Sequence, residues 1–432
     1  MRALNCLFLV LLYGGTMAVA QQSQEDSPRE WIDKETGHRI VRLSDETGSR
    51  TLYFHDNAYT PEGDKFIFTT PRGVACVEVA KIGTDEQRLD IIVPFGRGPM
   101  MARRTRELYI AGAGTNRTRG PVYAVNVDTK EQRLIPHAPT TVLNCDETIS
   151  FTVVRGQEAI DPTGKVQPPP KRPYVPQLHR MFPGKKPEDL TPDQRYSVEK
   201  EEGLARRTYD PPASAYRFID LKTGEARIVG HQYGNLNHHQ FNPKDPNLLL
   251  FCHEGTWHEV DRTWTIRTDA GSAPRLVHKR TMDMEINGHE WWSWDGKTVW
   301  FDLQTPRSED FWIAGVNVET GKQTRYHITR DTWGVHFNSS RDDTLFAGDG
   351  GDPSQVAYST DGMWITLFRV QPDGTLAPSR LVNMKSHNYV TGQRGGVEPN
   401  NSITPDNKWV IFTGQFARDQ RHVYAVEIAK RK

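Results

Sequence analysis

One pattern of strands and turns recurs along the chain, and it constrains the fold more than any other feature. Its first half is an apolar strand, a turn of Pro, Asp or Gly, and a second apolar strand. Its second half is a third strand, a turn of the Asp-x-x-Thr-Gly kind and a fourth strand. The first half occurs at residues 59–68, 292–301 and 402–412, and the second at 123–130, 218–225 and 316–322.

The pattern has a period of roughly 45 residues with four short strands in each unit, which is typical of the blades of a β-propeller. Pro and Asp favour the bend, and Gly or Asn accepts the positive φ that the tightest position requires. We therefore predict an all-β fold, a seven-bladed β-propeller over 37–432; six or eight blades are the alternatives. The predicted blades begin near residues 51, 94, 138, 231, 281, 330 and 384.

The third unit is longer than the others because residues of about 156–210 interrupt it. The first part is rich in proline, and the charged second part predicts a short helix capped by Thr191 or Ser197. Long segments of this kind in compact domains are often functional. We expect this insertion in blade three to lie over one mouth of the central channel; a surface excursion without a role is the alternative.

The N-terminal residues predict export and a way to close the ring. Residues 1–20 combine a basic start, an apolar run and an Ala18-Val19-Ala20 cleavage site, which indicates a signal peptide. We expect a periplasmic or secreted protein with no membrane span, although an uncleaved anchor is the alternative. A linker over 21–36 is predicted to lead into one isolated strand at 37–45, which completes the last blade.

Charge and cysteine content exclude some classes of protein. The 54 Lys and Arg residues balance 54 Asp and Glu residues, which argues against a nucleic-acid partner. One of the four cysteines lies in the predicted signal peptide. The remaining three, Cys76, Cys145 and Cys252, do not form a disulfide framework and are predicted to be buried free thiols. The oligomeric state is not indicated.

Histidines concentrate where the later units begin. The first strand of each propeller blade lines the channel, so residues at equivalent positions of neighbouring blades converge. Imidazole and carboxylate groups brought together in this way are ligands of divalent metals. We expect a functional site there; hydrogen-bonded core histidines are the alternative. The residues at or near this position are His238, His239, His289, His336, Glu398 and Asn400, with His387 before the last blade.

Other side chains suit catalysis or sugar binding. His253 ends an apolar strand and precedes Glu254-Gly255, and a histidine there suits a general base; a histidine that only bonds its own turn is the alternative. Arg217 and Arg262 are candidates for binding a carboxylate. Trp292 belongs to a group of tryptophans whose faces either stack on sugar rings or pack between blades.

Several short motifs together resemble the oligogalacturonate lyases. They are Phe-Cys-His-Glu-Gly at 251–255, Val-Asp-Arg at 260–262 with Trp264, Gly-His-Glu-Trp at 288–291 and Gly-Asp-Gly at 348–350. The resemblance implies a seven-bladed propeller that cleaves short oligogalacturonides by β-elimination, with a divalent metal, usually manganese, in its channel. It also implies that His253 is the catalytic base, that His289 is a metal ligand, and that an arginine, Arg217 or Arg262, lies near the reacting sugar.

One segment departs from the pattern of that family. The other family ligands come from a Gln-x-x-His-x-His segment, which reads Gly-Gly-Val-Glu-Pro-Asn at 395–400 here. Glu398 and Asn400 stand where the two histidines would be. Oxygen ligands suit a hard cation, so we expect Mn²⁺, with Ca²⁺ or Mg²⁺ as alternatives; loss of the metal is a further alternative.

These observations predict a polysaccharide lyase that cleaves a uronate-containing oligosaccharide by β-elimination. The alternative is a non-catalytic propeller of the cell envelope that binds a glycan or a protein. The predicted site comprises catalytic His253, Arg217 and Arg262, substrate-binding His238, His239, Trp292, His336 and His387, and metal ligands His289, Glu398 and Asn400.

Overall fold

A computed structural model describes residues 27–94, 96–114, 120–387, 396–417 and 420–430. These residues form seven antiparallel β-sheets that are arranged as the blades of a propeller. The predicted all-β class and the count of seven blades are therefore confirmed. The predicted signal peptide lies outside the described residues. No helix in the described ranges is both long and apolar enough to cross a membrane.

The strands follow the chain in the order of the blades. The N-terminal pair is β1 Glu30–Ile32 and β2 Arg39–Arg42. Blade one contains β3 Lys65–Thr70, β4 Gly73–Glu78 and β5 Asp90–Val93, and blade two contains β6 Arg97–Met101, β7 Glu107–Ala111, β8 Val122–Asn126 and β9 Gln132–Leu134. Blade three contains β10 Ile149–Arg155, β11 Ala213–Asp220 and β12 Ala226–Tyr233.

The remaining four blades carry the strands that line the site. Blade four contains β13 Asn235–Phe241, β14 Leu248–Glu254, β15 Thr263–Arg267 and β16 Arg275–Leu276. Blade five contains β17 Ile286–Trp292, β18 Thr298–Gln304, β19 Phe311–Asn317 and β20 Gln323–Ile328. Blade six contains β21 Phe337–Ser339, β22 Leu345–Gly348, β23 Trp364–Val370 and β24 Leu376–Asn383, and blade seven contains β25 Ser402–Ile403, β26 Trp409–Ala417 and β27 Gln420–Glu427.

The ring closes through the N-terminal strands. β2 pairs with β27, so that Val41 lies opposite Ala425, and β1 pairs in turn with β2. Blade seven therefore has the order β25-β26-β27-β2-β1. Residues 37–45 complete the last blade as expected, and β1 adds a fifth strand within the segment where a linker was predicted.

The turns between the first two strands of a blade have the predicted chemistry. Gly63 and Gly296 have φ of +82° and +73°, and Asn407 has φ of +57° at the matching place in blade seven. At Gly296 a Cβ atom would lie only 2.4 Å from Asn242 Oδ1 of the neighbouring blade. This turn therefore needs glycine both for its backbone and for the close contact between blades.

Apolar side chains pack between neighbouring blades and form the core. One cluster joins β2, blade one and blade seven through residues such as Val41, Phe68 and Ile411, each nearly inaccessible to solvent. The three described cysteines are buried free thiols, as predicted.

The chain between β10 and β11 forms a separate layer, which we call the capping segment (residues 156–212). It contains two α-helices and two short 3₁₀ helices, and two further 3₁₀ helices lie elsewhere in the described part of the chain. Thr191 accepts a hydrogen bond from the Gln194 amide at 3.2 Å and caps the second helix, as one of the two predicted caps. That this segment is an insertion stays a prediction. The helices are α1 Gln177–Met181 and α2 Pro192–Tyr209, with 3₁₀ helices at Gly156–Ala159, Pro187–Asp189, Val79–Lys81 and Arg330–Thr332.

Helix α2 lies over the mouth of the channel at blades four, five and six. Ser197 Oγ donates to the carbonyl of Ser354, and the buried Glu201 carboxylate is 2.8 Å from Arg307 Nη1. The amide of Trp257 also donates to Glu201. These contacts come from three blades, which supports the expectation that the segment covers one mouth.

Candidate active site

Three residues beside the channel have left-handed backbone conformations. His238, His289 and Asn400 have φ of +52°, +51° and +47°. In blades four and five this coincides with a register shift between the first and second strands, as in a β-bulge. A left-handed residue with a Cβ costs roughly 1–2 kcal/mol, and such strain concentrates at functional sites. The repeated bulge therefore marks the channel-lining positions of these blades as a candidate site.

His289 and His336 lie side by side, with ring centroids 4.8 Å apart. His336 Nδ1 is 2.8 Å from Asp349 Oδ2, and its Nε2 is 3.8 Å from Glu398 Oε2. Within the described residues, the buried Nδ1 of His289 has no hydrogen-bond partner. His336, whose far nitrogen is held by a carboxylate, has a second imidazole and the Glu398 carboxylate beside it, and these are donor types that bind a divalent cation. Their ligand atoms are further apart than those of the blade-four group described below, which lie within 4.8 Å of one another.

Asn400 lies next to this group, but both polar atoms of its side chain form hydrogen bonds with backbone groups. Its Oδ1 accepts a hydrogen bond from the Phe54 amide, and its Nδ2 donates to the Glu398 carbonyl. Its own amide donates to Asp349 Oδ2 at 3.2 Å. The structure thus brings His289 and Glu398 to His336, while Asn400 holds the loop that carries Glu398.

A second group of metal-type ligands lies in blade four. The ligand atoms of His238, Cys252 and Glu254 are within 4.8 Å of one another. The Arg262 guanidinium lies 3.6 Å from both Glu254 Oε1 and Cys252 Sγ. This fixed cation already balances the Glu254 carboxylate, and burial raises the pKa of the Cys252 thiol. The group is therefore less suited to a metal than that around His336.

Aromatic and charged residues of blades one and five complete the channel wall. The Tyr53 ring lies 5.3 Å from His336 and 5.7 Å from His238, and the His55 ring lies 5.8 Å from His238. Glu290 is fully buried, and its charge adds to burial in raising the pKa of Cys252. Burial lowers the pKa of His238 to about 4, so this imidazole is neutral near pH 7.

His253 points to the opposite face of β14 from Cys252 and Glu254, because side chains alternate along a strand. Its Nε2 is 2.6 Å from Gln232 Oε1, and its ring stacks on Trp264 at 4.9 Å with 18° between the planes. A Cβ atom at Gly234 would lie 3.1 Å from Nδ1, so glycine keeps that nitrogen accessible. Burial lowers the pKa of His253 to about 4, and the Arg262 charge contributes.

His253 lines a cleft of about 510 Å³ between blade four and the capping segment. Glu254, Asp261 and Trp264 form part of the blade side of this cleft. The capping segment supplies basic and proline residues, which include Pro169, Pro170, Lys171, Arg172 and Arg207. A neutral imidazole here faces a wall that is positively charged and suits an anionic sugar chain.

Arg262 lies between the cleft and the channel. Its backbone carbonyl accepts a hydrogen bond from the His253 amide, and its guanidinium lies 4.4 Å from the Trp257 ring centroid. The residue is only 1% exposed. Its charge therefore acts on neighbouring groups from beneath the surface, without direct contact with a bound sugar in this conformation.

Four of the predicted residues lie away from this arrangement. Arg217 is on the middle strand of blade three and pairs with Glu158. His239 packs against Phe151 and Tyr216, because it points to the other side of β13 from His238. Trp292 lies beside a cavity at the opposite end of the first strands, and its Nε1 donates to the Gln240 carbonyl. The His387 ring is hydrogen-bonded to the Gln415 amide and to the Val397 carbonyl.

Several residues of the arrangement were not predicted from the sequence. Tyr53 and His55 stand at the channel position of blade one, where the repeat pattern alone would have pointed to them. Asp349 lies in the Gly-Asp-Gly motif, which contributes to the family resemblance but carries no predicted role. The sequence did not indicate that cations of the capping segment belong to the site, because their position depends on how that segment folds back over the propeller.

Comparisons with known proteins place the chain in a family. A family model described as oligogalacturonate lyase matches residues 203–430. The oligogalacturonide lyase of Pectobacterium atrosepticum is 31% identical over 205 residues, 45% of this chain and 50% of that protein. The oligogalacturonate lyase of Dickeya dadantii is 32% identical over 208 residues, with the same two shares. The aligned region thus spans about half the length of these curated relatives.

Solved structures show a similar fold over nearly the whole chain. An oligogalacturonate lyase in complex with manganese has a TM-score of 0.67 at 21% identity, covering 94% of this chain and 98% of that one. An oligogalacturonate lyase from Vibrio parahaemolyticus has a TM-score of 0.67 at 20% identity, covering 93% and 96%. With the propeller, the histidine group and a family model that matches more than half of the sequence, the chain belongs to the oligogalacturonate lyase family.

Proposed function

We propose that this protein is a lyase that cleaves uronate-containing oligosaccharides by β-elimination. The observation that carries the proposal is the setting of His253, a neutral imidazole in the wall of a cleft whose facing side is basic. The names of the curated relatives, oligogalacturonide and oligogalacturonate lyase, support galacturonate oligomers as the substrate class.

His253 has the properties that a general base requires. With Nε2 donating to Gln232 Oε1, the lone pair of the base is on Nδ1, on the side that Gly234 leaves open. The lowered pKa keeps this nitrogen unprotonated at neutral pH. The Trp264 stack and the Gln232 hydrogen bond fix the plane of the ring, so that the base needs little reorganisation.

In the proposed reaction, His253 Nδ1 removes the proton from C5 of a uronate residue. The electron pair of the C5–H bond forms the C4–C5 double bond and the C4–O bond breaks. The departing oxygen takes a proton from water to become the hydroxyl of the released chain, and His253 returns its proton to water. Negative charge develops on the uronate carboxylate during proton removal, and nearby positive groups stabilise it. The buried Arg262 guanidinium supplies fixed positive charge behind the base.

A divalent metal fits the group formed by His289, His336 and Glu398. Two observations support the fit: His289 Nδ1 has no hydrogen-bond partner among the described residues, and His336 Nε2 lies 3.8 Å from Glu398 Oε2. A bound cation there would stabilise negative charge on a substrate carboxylate that lies against it. We propose Mn²⁺, with Ca²⁺ or Mg²⁺ as alternatives, because the donors are nitrogen and hard oxygen. The manganese complex of the structural relative supports this choice.

We also propose that the protein works outside the cytoplasm, in the periplasm or beyond the cell. The support is the predicted signal peptide at residues 1–20. Cell fractionation, with N-terminal sequencing of the mature protein, tests this. A mature chain that starts after Ala20 is expected, and an intact N-terminus in the cytoplasmic fraction would overturn the proposal.

The activity is tested with purified protein and galacturonate oligomers of defined length. We expect growth of the ultraviolet absorbance of an unsaturated uronate, sensitive to a chelator and restored by Mn²⁺. His253→Ala removes the base and should lower the rate at least 10²-fold, whereas His239→Ala, outside the cleft, should retain activity after correction for stability. No absorbance change on any uronate oligomer, with the protein folded and metal-loaded, would favour the non-catalytic propeller.

A further inference from the structure

Helix α2 is fixed to the propeller along one side. Ser197, Glu201 and Thr208 follow one another at helical spacing, and each contacts a blade loop. Thr208 Oγ1 accepts a hydrogen bond from the Thr256 amide at 2.7 Å, and the Glu201–Arg307 pair is buried. The helix is therefore a rigid part of the site, and its free flank presents side chains in defined positions.

Two exposed cations, Lys200 and Arg207, lie on one flank of this helix. They are seven residues apart, which is about two turns, so they share a flank with about 10 Å between them along the axis. Arg206 is also exposed, but it projects about 100° further round the helix. Lys200 and Arg207 form no ion pair among the residues that the structure describes.

Lys200 lies toward the end of the site that contains the candidate metal ligands His289 and His336. Its Nζ is 6.0 Å from the Trp257 ring centroid, and that ring is 5.0 Å from the His289 ring. Arg207 reaches the other end, since it lines the cleft that contains His253 and Glu254. The two cations thus flank the two groups that the proposed reaction uses.

The cleft is lined by three cations, Lys171, Arg172 and Arg207, and by three carboxylates, Glu254, Glu259 and Asp261, each of which lies within 4 Å of an arginine. Lys171 lines the same cleft and forms no ion pair within the described ranges. Arg172 is paired with Glu259 at 3.1 Å and lies 4.8 Å from the Tyr209 ring. Arg262 is buried and does not offer its guanidinium to the cleft. Among the described residues, the cations without an ion pair that can contact carboxylates of a bound chain are therefore Lys171 and Arg207 in the cleft and Lys200 beside Trp257.

We propose that Lys200 and Arg207 are specificity-determining residues that bind two carboxylates of the same uronate oligosaccharide. The site then selects short chains with at least two free carboxylates and rejects chains whose carboxyl groups are esterified. This inference rests on the proposed function, and it adds a binding role for the capping segment that sets the length and charge of the substrate.

The experiment compares Lys200→Gln, Arg207→Gln and the double variant with the control Arg206→Gln. Glutamine preserves helix propensity at these exposed positions, so folding is expected to be unchanged. Binding of trigalacturonate and of its methyl ester is measured by calorimetry in the His253→Ala background, so that turnover is not needed. KM and kcat are measured with His253 present.

Each single substitution should weaken binding of the free-acid trimer and raise KM by about tenfold, with kcat changed little. Arg206→Gln should match the parent protein. The methyl ester should bind weakly to every variant with no further loss. The affinity of the parent protein for the free acid should fall with added salt, and the double variant should lose most of this dependence.

Other results separate this inference from the proposed function. If the protein forms unsaturated products but Lys200→Gln and Arg207→Gln bind the trimer as Arg206→Gln does, the inference is overturned and the function stands. Equal losses for free acid and ester would also overturn it. If no unsaturated product forms but both substitutions weaken binding of the free acid alone, the inference stands and the lyase proposal fails.

Discussion

The Arg262 guanidinium lies 3.6 Å from the Glu254 carboxylate and 4.4 Å from the centre of the Trp257 ring, so a nearly inaccessible cation stands between the base cleft and the channel. Its charge contributes to the lowered pKa of both His253 and His289, where burial is the larger cause. Arg262 is thus a positioning residue in the proposed reaction, because it sets the charge around groups that contact the substrate.

Arg262→Lys tests this role with the charge retained. Lysine has a single point charge and cannot contact Glu254 and Cys252 at the same time as a guanidinium does. We expect kcat to fall about 10²-fold with KM changed little, measured by steady-state kinetics on the free-acid trimer. Arg217→Lys, on the middle strand of blade three and away from the cleft, is the matched control. Equal, small effects of the two substitutions would show that Arg262 is not a positioning residue.

The pH dependence of the reaction should report the lowered pKa of His253. The base must be unprotonated, and its pKa is about 4, so kcat/KM should stay high well below the 6.5 of an ordinary histidine. The rate should fall only as the pH approaches about 4. A loss of kcat/KM centred near 6.5, in protein that remains folded, would show that His253 is either more exposed or not the base.

The same buried histidines predict that acid weakens the fold. His238, His253 and His387 each have a pKa of about 4 in the folded protein, mainly because of burial. The unfolded chain therefore binds more protons than the folded chain between about pH 6.5 and pH 4, and the free energy of unfolding falls as the pH is lowered through that range. Urea denaturation at several pH values measures this. Stability that is constant or rises over the range would contradict the burial of these groups.

The left-handed backbone of His289 predicts an unusual order of stability. Glycine adopts φ of +51° without the penalty that a Cβ brings. His289→Gly should therefore be more stable than His289→Ala by about 1 kcal/mol. At His336, whose φ is not positive, alanine should be the more stable of the two. Thermal unfolding of the four variants in the absence of metal tests both statements. If glycine and alanine rank in the same order of stability at both positions, the left-handed backbone of His289 is contradicted.

Metal binding distinguishes the two groups of candidate ligands. Glu398→Gln and His289→Gln should each lower Mn²⁺ affinity by 10-fold or more, because each removes a ligand. Cys252→Ser should leave the affinity nearly unchanged, since Arg262 already balances Glu254. Equilibrium dialysis of purified variants measures this. If Glu398→Gln retains Mn²⁺ and Cys252→Ser loses it, the metal site is instead the group in blade four.

The fold was predictable because its signals are local. The turn residues fix each hairpin, as Gly63, Gly296 and Asn407 show, and their period gives the number of blades. The convergence of His238, His289 and His336 also followed from their equivalent places in the blades. These statements need only the repeat and the rule that first strands line the channel.

The details of the site depend on features that the repeat does not contain. His238 and His239 are adjacent in sequence, but the β-bulge and the alternation of side chains send them to different sides of β13. Asn400 was assigned as a ligand from its place in the motif, whereas its amide bonds the backbone. Lys200 and Arg207 join the site only through the tertiary position of α2.

The masses of the reaction products distinguish elimination from hydrolysis. A galacturonate trimer is incubated with the metal-loaded protein, and the products are identified by mass spectrometry, with His253→Ala as the control. We expect one fragment to be lighter by one water molecule than the corresponding hydrolysis product, because it carries the C4–C5 double bond. The variant should not form this fragment. Fragments with the masses of hydrolysis products, or an uncleaved trimer, would show that the protein does not cleave this substrate by β-elimination.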